Sequence, residues 1–162
     1  MSIESVAILS PGDMGHAIGQ LLREHELHDL TCLAGRSDRT RQLSEQAGIT
    51  DVSSINELVA QSDILMSVTV SEAVPGLCQE ISEATRATGT DLLFAECNAI
   101  APELSRDMES VLKSGGARYV DASIIGGPPC NGSSPRVYAS GDNVAEFSQL
   151  RAFGLAVRDL AE

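Results

Sequence analysis

The stretch best equipped for chemistry is Ser10-Pro-Gly12-Asp-Met-Gly15, which lies between an apolar run at 6–9 and the helically spaced Met14, Ala17, Ile18, Leu21 and Leu22. The hydrophobic period changes from strand to helix across it, so the glycines fall on a tight strand-to-helix turn. That arrangement holds the pyrophosphate of a dinucleotide. Gly12 lets the backbone approach a phosphate, and Gly15 and Gly19 let the helix lie close to its strand. The amides of Gly12, Asp13, Met14 and Gly15, at the positive end of the helix dipole, are the candidate pyrophosphate contacts. One position departs from the G-x-G-x-x-G pattern: Ser10 stands where the first glycine is expected, and Pro11 fixes the next φ. A turn serving only helix-strand packing is the alternative.

A second cluster follows the next apolar run, 30–33. Dinucleotide sites that take NAD carry an acidic residue ~20 positions after the glycine loop, where it accepts from the ribose 2′-OH. Here that position reads Gly35-Arg36-Ser37-Asp38-Arg39-Thr40. Two guanidinium forks and neighbouring hydroxyls suit a 2′-phosphate, which makes Arg36, Ser37 and Arg39 candidate contacts and favours NADP over NAD. Alternatively Ser37 only caps the next helix, the arginines are solvated and Asp38 pairs with one of them.

Positioning these groups requires alternating strands and helices. The second helix ends near Ala47 with Gly48 as its stop, a short strand covers 49–52, and Ser54-Ile-Asn-Glu57 opens a third helix as a capping box. Buried strands are expected at 64–70 and 92–96, with a helix from Pro75 between them and another from Pro102 to the Gly115-Gly116 pair. A strand at 119–125 empties into Gly126-Gly127-Pro128-Pro129. An edge strand at 136–140, a helix capped by Asp142 or Asn143 and a last strand within 155–160 complete the chain. The pattern predicts an α/β fold: a Rossmann-type, doubly wound, mostly parallel sheet with helices on both faces.

Of the 162 residues 43% are hydrophobic, enough for a single domain with a real core. Eleven Lys and Arg against 23 Asp and Glu give a net charge of −12, which argues against nucleic acid or an anionic membrane as partner. Aromatics at 3%, with no Trp, offer no base-stacking platform. Cys32, Cys78, Cys97 and Cys130 lie far apart, with burial expected for the first three; this usage fits a reducing, cytoplasmic setting. Asn131-Gly-Ser133 is formally a glycosylation acceptor, but no signal peptide precedes it. His16 follows the glycine turn, whereas His25 and His28 fall in a polar helix end; no spacing suggests a metal site.

Taken together, the segments resemble the N-terminal nucleotide-binding domain of the 6-phosphogluconate dehydrogenase and 3-hydroxyisobutyrate dehydrogenase superfamily of β-hydroxyacid dehydrogenases. Gly12-Asp-Met-Gly15 is similar to the family's glycine loop, and Gly35-Arg36-Ser37 to its NADP-associated turn. Thr69-Val70-Ser71 and Cys97-Asn98-Ala-Ile-Ala-Pro102 resemble its nicotinamide-side segments, and Asp121-Ala-Ser-Ile-Ile125-Gly126-Gly127 its substrate signature. The resemblance implies NADP-dependent hydride transfer to or from a small hydroxyacid or related substrate. Thr69, Val70 and Asn98 would then face the nicotinamide ribose, and Ser123, Gly126 and Gly127 the substrate. Ile125 replaces the family's substrate-contacting serine. The family's catalytic lysine and its all-helical C-terminal domain are expected beyond residue 162, so domain 1–162 carries no assigned catalytic residue. Lys113, the only lysine, reads as a solvated helix-end cation. An apolar face normally covered by that second domain would favour a homodimer. The rival reading is an NADP-binding module without turnover. A methyltransferase-type domain fits less well, because the arginine turn replaces the acidic grip on an adenosine ribose.

Overall fold

A computed structural model describes residues 2–129 and 134–160. Cys130 and the Asn131-Gly-Ser133 acceptor lie outside the described residues. Strand β1 (Ser5–Leu9) is wholly buried and leads through the glycine turn into α1 (Asp13–Glu24). Next come β2 (His28–Thr31), α2 (Asp38–Ala47), β3 (Thr50–Asp51), α3 (Ile55–Ala60) and β4 (Ile64–Ser67). A short 3₁₀ turn then precedes α4 (Val74–Thr88), followed by β5 (Leu93–Glu96), α5 (Pro102–Ser114) and β6 (Arg118–Ile125). β7 (Arg136–Ser140), α6 (Val144–Phe147), a 3₁₀ segment and β8 (Ala156–Asp159) close the described fold.

The strands form one sheet in the order β3-β2-β1-β4-β5-β6-β7-β8. All pairings are parallel except β6 with β7. Alternate residues of each central strand feed two cores. On one face Ile18 and Leu22 of α1, with Phe147 and Leu150, cover Val6, Ile8, Ile64, Met66 and Leu93. On the other, α3, α4 and α5 bring Leu58, Leu77, Ile81, Met108 and Leu112 onto Ala7, Leu9, Leu65 and Phe94. The Rossmann-type, doubly wound architecture is thus present, with helices on both faces.

The chain leaves β1 for β2 on one side and returns as β4 on the other, so the order reverses at β1 and opens a crevice above the carboxyl ends of β1 and β4. Close packing builds its floor. A Cβ on Gly15 would stand 3.2 Å from Ile8 Cγ2, and one on Gly19 would stand 2.6 Å from Ile49 Cδ1. Gly19 therefore serves the approach of α1 to Ile49 and Asp29, not to β1.

Three boundaries differ from expectation. β4 ends at Ser67 instead of residue 70, because the Thr69 N–H is taken by the Asn98 side chain at 3.0 Å and not by a neighbouring strand. β2 ends at Thr31, and the next ladder position is capped by the Asp51 carboxylate accepting from Leu33 N–H at 2.9 Å. β7 is interior and β8 takes the edge, since β7 reverses direction and exposes its far side to β8. Smaller differences are local. Glu57 returns the α3 capping bond to Ser53 (2.9 Å) instead of Ser54, and Asn143 stands at the N-cap of α6 without capping it, its amide going to the Tyr119 carbonyl.

Candidate functional site

The missing first glycine has a structural consequence. Ser10 sits at φ 54°, a left-handed conformation that costs a non-glycine residue ~1 kcal/mol or more. Its carbonyl accepts from Gly12 N–H at 2.6 Å across Pro11. The Gly12 amide is therefore spent within the turn. The first helical bond runs from His16 N–H to the Gly12 carbonyl at 2.9 Å, which leaves the amides of Asp13, Met14 and Gly15 ahead of the ladder. His16 Nδ1 lies 2.7 Å from that carbonyl, and since a carbonyl only accepts, the ring donates from Nδ1 and braces the turn from above. A Cβ on Gly12 would meet only the Ser10 carbonyl oxygen, at 3.9 Å, so the space over the turn is open.

Beside it stands the arginine turn. Leu33-Ala-Gly35-Arg36 closes with Arg36 N–H on the Leu33 carbonyl at 3.0 Å, and Gly35 at φ 76° takes the left-handed third position that a type II turn requires. Ser37 is the N-cap of α2, its hydroxyl accepting from Thr40 N–H at 3.2 Å. The capping role considered for Ser37 is therefore real. Arg36 is half-buried and lines a cleft shared with Cys32, Ala34, Asn56 and Glu83. Arg39 is exposed and pairs not with Asp38 but with Asp13, at 2.5 Å, so one ion pair links the arginine turn to the glycine turn. Arg41, which sequence reasoning passed over, donates to the Leu33 carbonyl at 2.7 Å and the Arg36 carbonyl at 3.3 Å. It braces the arginine turn from beneath; only the three-dimensional path of the turn reveals that role.

On the other side of the crevice, the loops after β4 and β5 are joined by Asn98. Its Oδ1 accepts from Thr69 N–H, while its Nδ2 donates to the Ser67 carbonyl at 3.2 Å and to Glu96. Glu96 is wholly buried and also accepts from Asn98 N–H at 3.1 Å. Burial pushes its carboxyl above the usual range, opposed by the bonds from Asn98. Thr69 is half-buried and Val70 stands 63% exposed at the crevice rim. Thr69, Val70 and Asn98 are therefore brought together at one strand edge, with Gly12 to Gly15 in the turn that follows the adjacent strand β1.

The expected substrate-side residues divide. Ser123 lies on β6 opposite Tyr138, in a hollow that also holds Asp121 and Ser140. Gly126 and Gly127 are exposed beyond the strand and line a separate hollow with Pro128 and Arg136; Ile125 borders both. Lys113 is exposed near the end of α5, bonded to Glu109 at 2.7 Å. Cys32, Cys78 and Cys97 are buried free thiols; burial pushes the Cys78 thiol up to about 12 and the Cys97 thiol higher still. Both stay neutral and are unsuited to nucleophilic work. Among the described residues no cluster of His, Cys, Asp and Glu could hold a metal, and no helix is long and apolar enough to cross a membrane.

Comparison with known proteins agrees with this geometry. Residues 5–152 match the family model of the NAD binding domain of 6-phosphogluconate dehydrogenase. The mitochondrial 3-hydroxyisobutyrate dehydrogenase of Drosophila melanogaster is 24% identical over 105 residues, which are 65% of this chain and 32% of that enzyme. Among solved structures, a conserved protein with structural similarity to 3-hydroxyacid dehydrogenases superposes with a TM-score of 0.85 at 23% identity, over 98% of this chain and 58% of the other. An imine reductase from Myxococcus stipitatus in complex with NADP+ gives a TM-score of 0.76 at 20% identity, over 96% and 54% respectively. The chain thus spans about a third of the fly enzyme and little more than half of the solved chains. With the glycine turn, the arginine turn and the bridged β4 and β5 loops on one sheet edge, the chain belongs to the family of the NAD binding domain of 6-phosphogluconate dehydrogenase.

Proposed function

We propose that this chain is the NADP-binding portion of an oxidoreductase that passes hydride between the nicotinamide and a small hydroxyacid or related substrate. The observation that carries the reading is the convergence at the switch point: three amides ahead of the α1 ladder, and the arginine turn on the neighbouring strand tied to Asp13 through Arg39. The chain's residues fit the group. Open space over Gly12 admits a pyrophosphate against the amides of Asp13, Met14 and Gly15. Arg36, Ser37 and Arg39 are the contacts assigned to the 2′-phosphate, with Arg39 leaving its exposed pair with Asp13 to make one. Thr69, Val70 and Asn98 line the nicotinamide end, and Ser123, Gly126 and Gly127 the substrate side. When bound, the nicotinamide supplies the hydride chemistry, and the protein supplies position and electrostatics.

The alternative reading is a module that binds NADP without turnover of its own; within these residues Lys113 does not serve the crevice, since it is bonded to Glu109 at 2.7 Å near the end of α5, at the amino-terminal end of the sheet. Nucleotide binding is common to both readings. The Arg36→Ala variant tests its specificity: NADPH binding falls by about 1–3 kcal/mol and NADH binding is nearly unchanged. Equal losses for both would refute the 2′-phosphate assignment. Assay of the natural gene product against a panel of β-hydroxyacids and imines separates turnover from binding alone.

A further inference from the structure

Ser67 and Glu96, the last residues of β4 and β5, stand in register with Asp121 in the middle of β6, on the face covered by α4 and α5. Glu96, the middle one, is wholly buried. One of its oxygens takes both Asn98 donors. The other, Oε2, has no partner among the described residues and no access to solvent. A buried carboxylate oxygen without a donor is costly, whereas a neutral carboxylic acid has no such charge to satisfy. Asn98 completes the linkage. With Nδ2 directed at Glu96 and Ser67, its Oδ1 is the atom left to accept from the Thr69 backbone, and the amide cannot turn over without losing bonds at both ends.

We infer that Glu96 is a positioning residue for the nicotinamide end of the crevice: from beneath the strand ends its carboxyl fixes the Asn98 amide, which fixes the Thr69 backbone and the loop after β4. The inference rests on the nucleotide reading above, because it concerns which half of a dinucleotide the clamp serves. The adenosine half lies toward β2 and the arginine turn, so the half lying over β4 and β5 is the nicotinamide half. Glu96 touches no ligand and acts only through Asn98. The upward shift of its carboxyl by burial agrees with a neutral side chain, for which glutamine is the close isostere.

Calorimetric titration with two probes, NADPH and 2′-phospho-ADP-ribose, separates this role from a general structural one, because the second probe lacks the nicotinamide. Glu96→Leu removes the acceptor, Asn98→Ala removes the clamp itself, and Glu96→Gln retains an acceptor oxygen. The expected result is that Glu96→Leu and Asn98→Ala each weaken NADPH about tenfold, the equivalent of one hydrogen bond, and leave 2′-phospho-ADP-ribose within about twofold. Glu96→Gln stays within about threefold of wild type for both probes. If Glu96→Leu does not fold, Asn98→Ala and Glu96→Gln still decide the matter. Equal weakening of both probes, no weakening of either, or a Glu96→Gln loss matching that of Asn98→Ala overturns the positioning role. A wild-type chain that binds neither probe overturns the nucleotide reading itself, whereas wild-type binding with unaltered variants overturns the clamp alone.

Discussion

Asp29 on β2 is 2% exposed beneath α1, its Oδ2 is without a partner among the described residues, and a Cβ on Gly19 would lie 3.1 Å from that oxygen. Burial pushes its carboxyl up from 3.8 to about 6, against the opposing charge of Arg23 and a backbone hydrogen bond. The folded protein therefore holds a proton that the unfolded chain has lost between those two values. Stability falls as pH rises through that window, and the full penalty is present above about 6. At 1.36 kcal/mol per pH unit, the span from 3.8 to about 6 corresponds to at most about 3 kcal/mol. Asp29→Asn removes the titration and keeps the shape. In urea unfolding followed by circular dichroism, the variant should be more stable than wild type by about 1–3 kcal/mol at about pH 8, with the gain largely gone at about pH 4. Other carboxyls raised by burial, the buried Glu96 and the half-buried Asp121 among them, titrate alike in both proteins and cancel in the difference. A variant no more stable than wild type at the higher pH, or a gain of the same size at both, would refute the reasoning.

Two further substitutions probe packing and the crevice. Gly115 closes α5 against α4, where a Cβ would fall 2.2 Å from the Ser82 backbone oxygen; Gly115→Ala should cost roughly 3 kcal/mol or more, read as a lower urea midpoint, because the obstacle is main chain and cannot rotate away. Asp13→Asn breaks the exposed pair with Arg39 and removes a negative charge from the α1 N-terminus; NADPH should bind tighter by ~0.2–1 kcal/mol in calorimetry, with a smaller gain for NADH. An unchanged NADPH affinity would mean that Arg39 takes no part in the 2′-phosphate contact.

What was legible in the sequence is what is local. The switch of period across residues 6–22 located β1, the turn and α1, and Gly48 and Ser54 marked a helix end and a helix start from their own backbone requirements. The end of β4 was not legible, because the competitor for the Thr69 N–H is a side chain 29 residues away. The same holds for the pairing of Arg39 with Asp13, 26 residues apart, which displaced the nearer Asp38. Strand direction is equally non-local: residues 136–140 have the alternation of a half-covered strand, and only the reversal after β6 puts β7 inside the sheet with β8 at its edge. At the site, the glycine and arginine turns were readable from residue type and spacing. The spent Gly12 amide, the Arg41 brace and the Glu96–Asn98 clamp depend on bonds across the fold and carry no signature of their own.

The central claim is that a phosphorylated dinucleotide seats on the amides of residues 13–15 with its 2′-phosphate at Arg36. Titration of the folded chain with NADPH and, in parallel, NADH tests it most directly. The account predicts saturable one-to-one binding of both, with NADPH tighter by about 1–3 kcal/mol. Absence of heat with either coenzyme, or tighter binding of NADH, would contradict it.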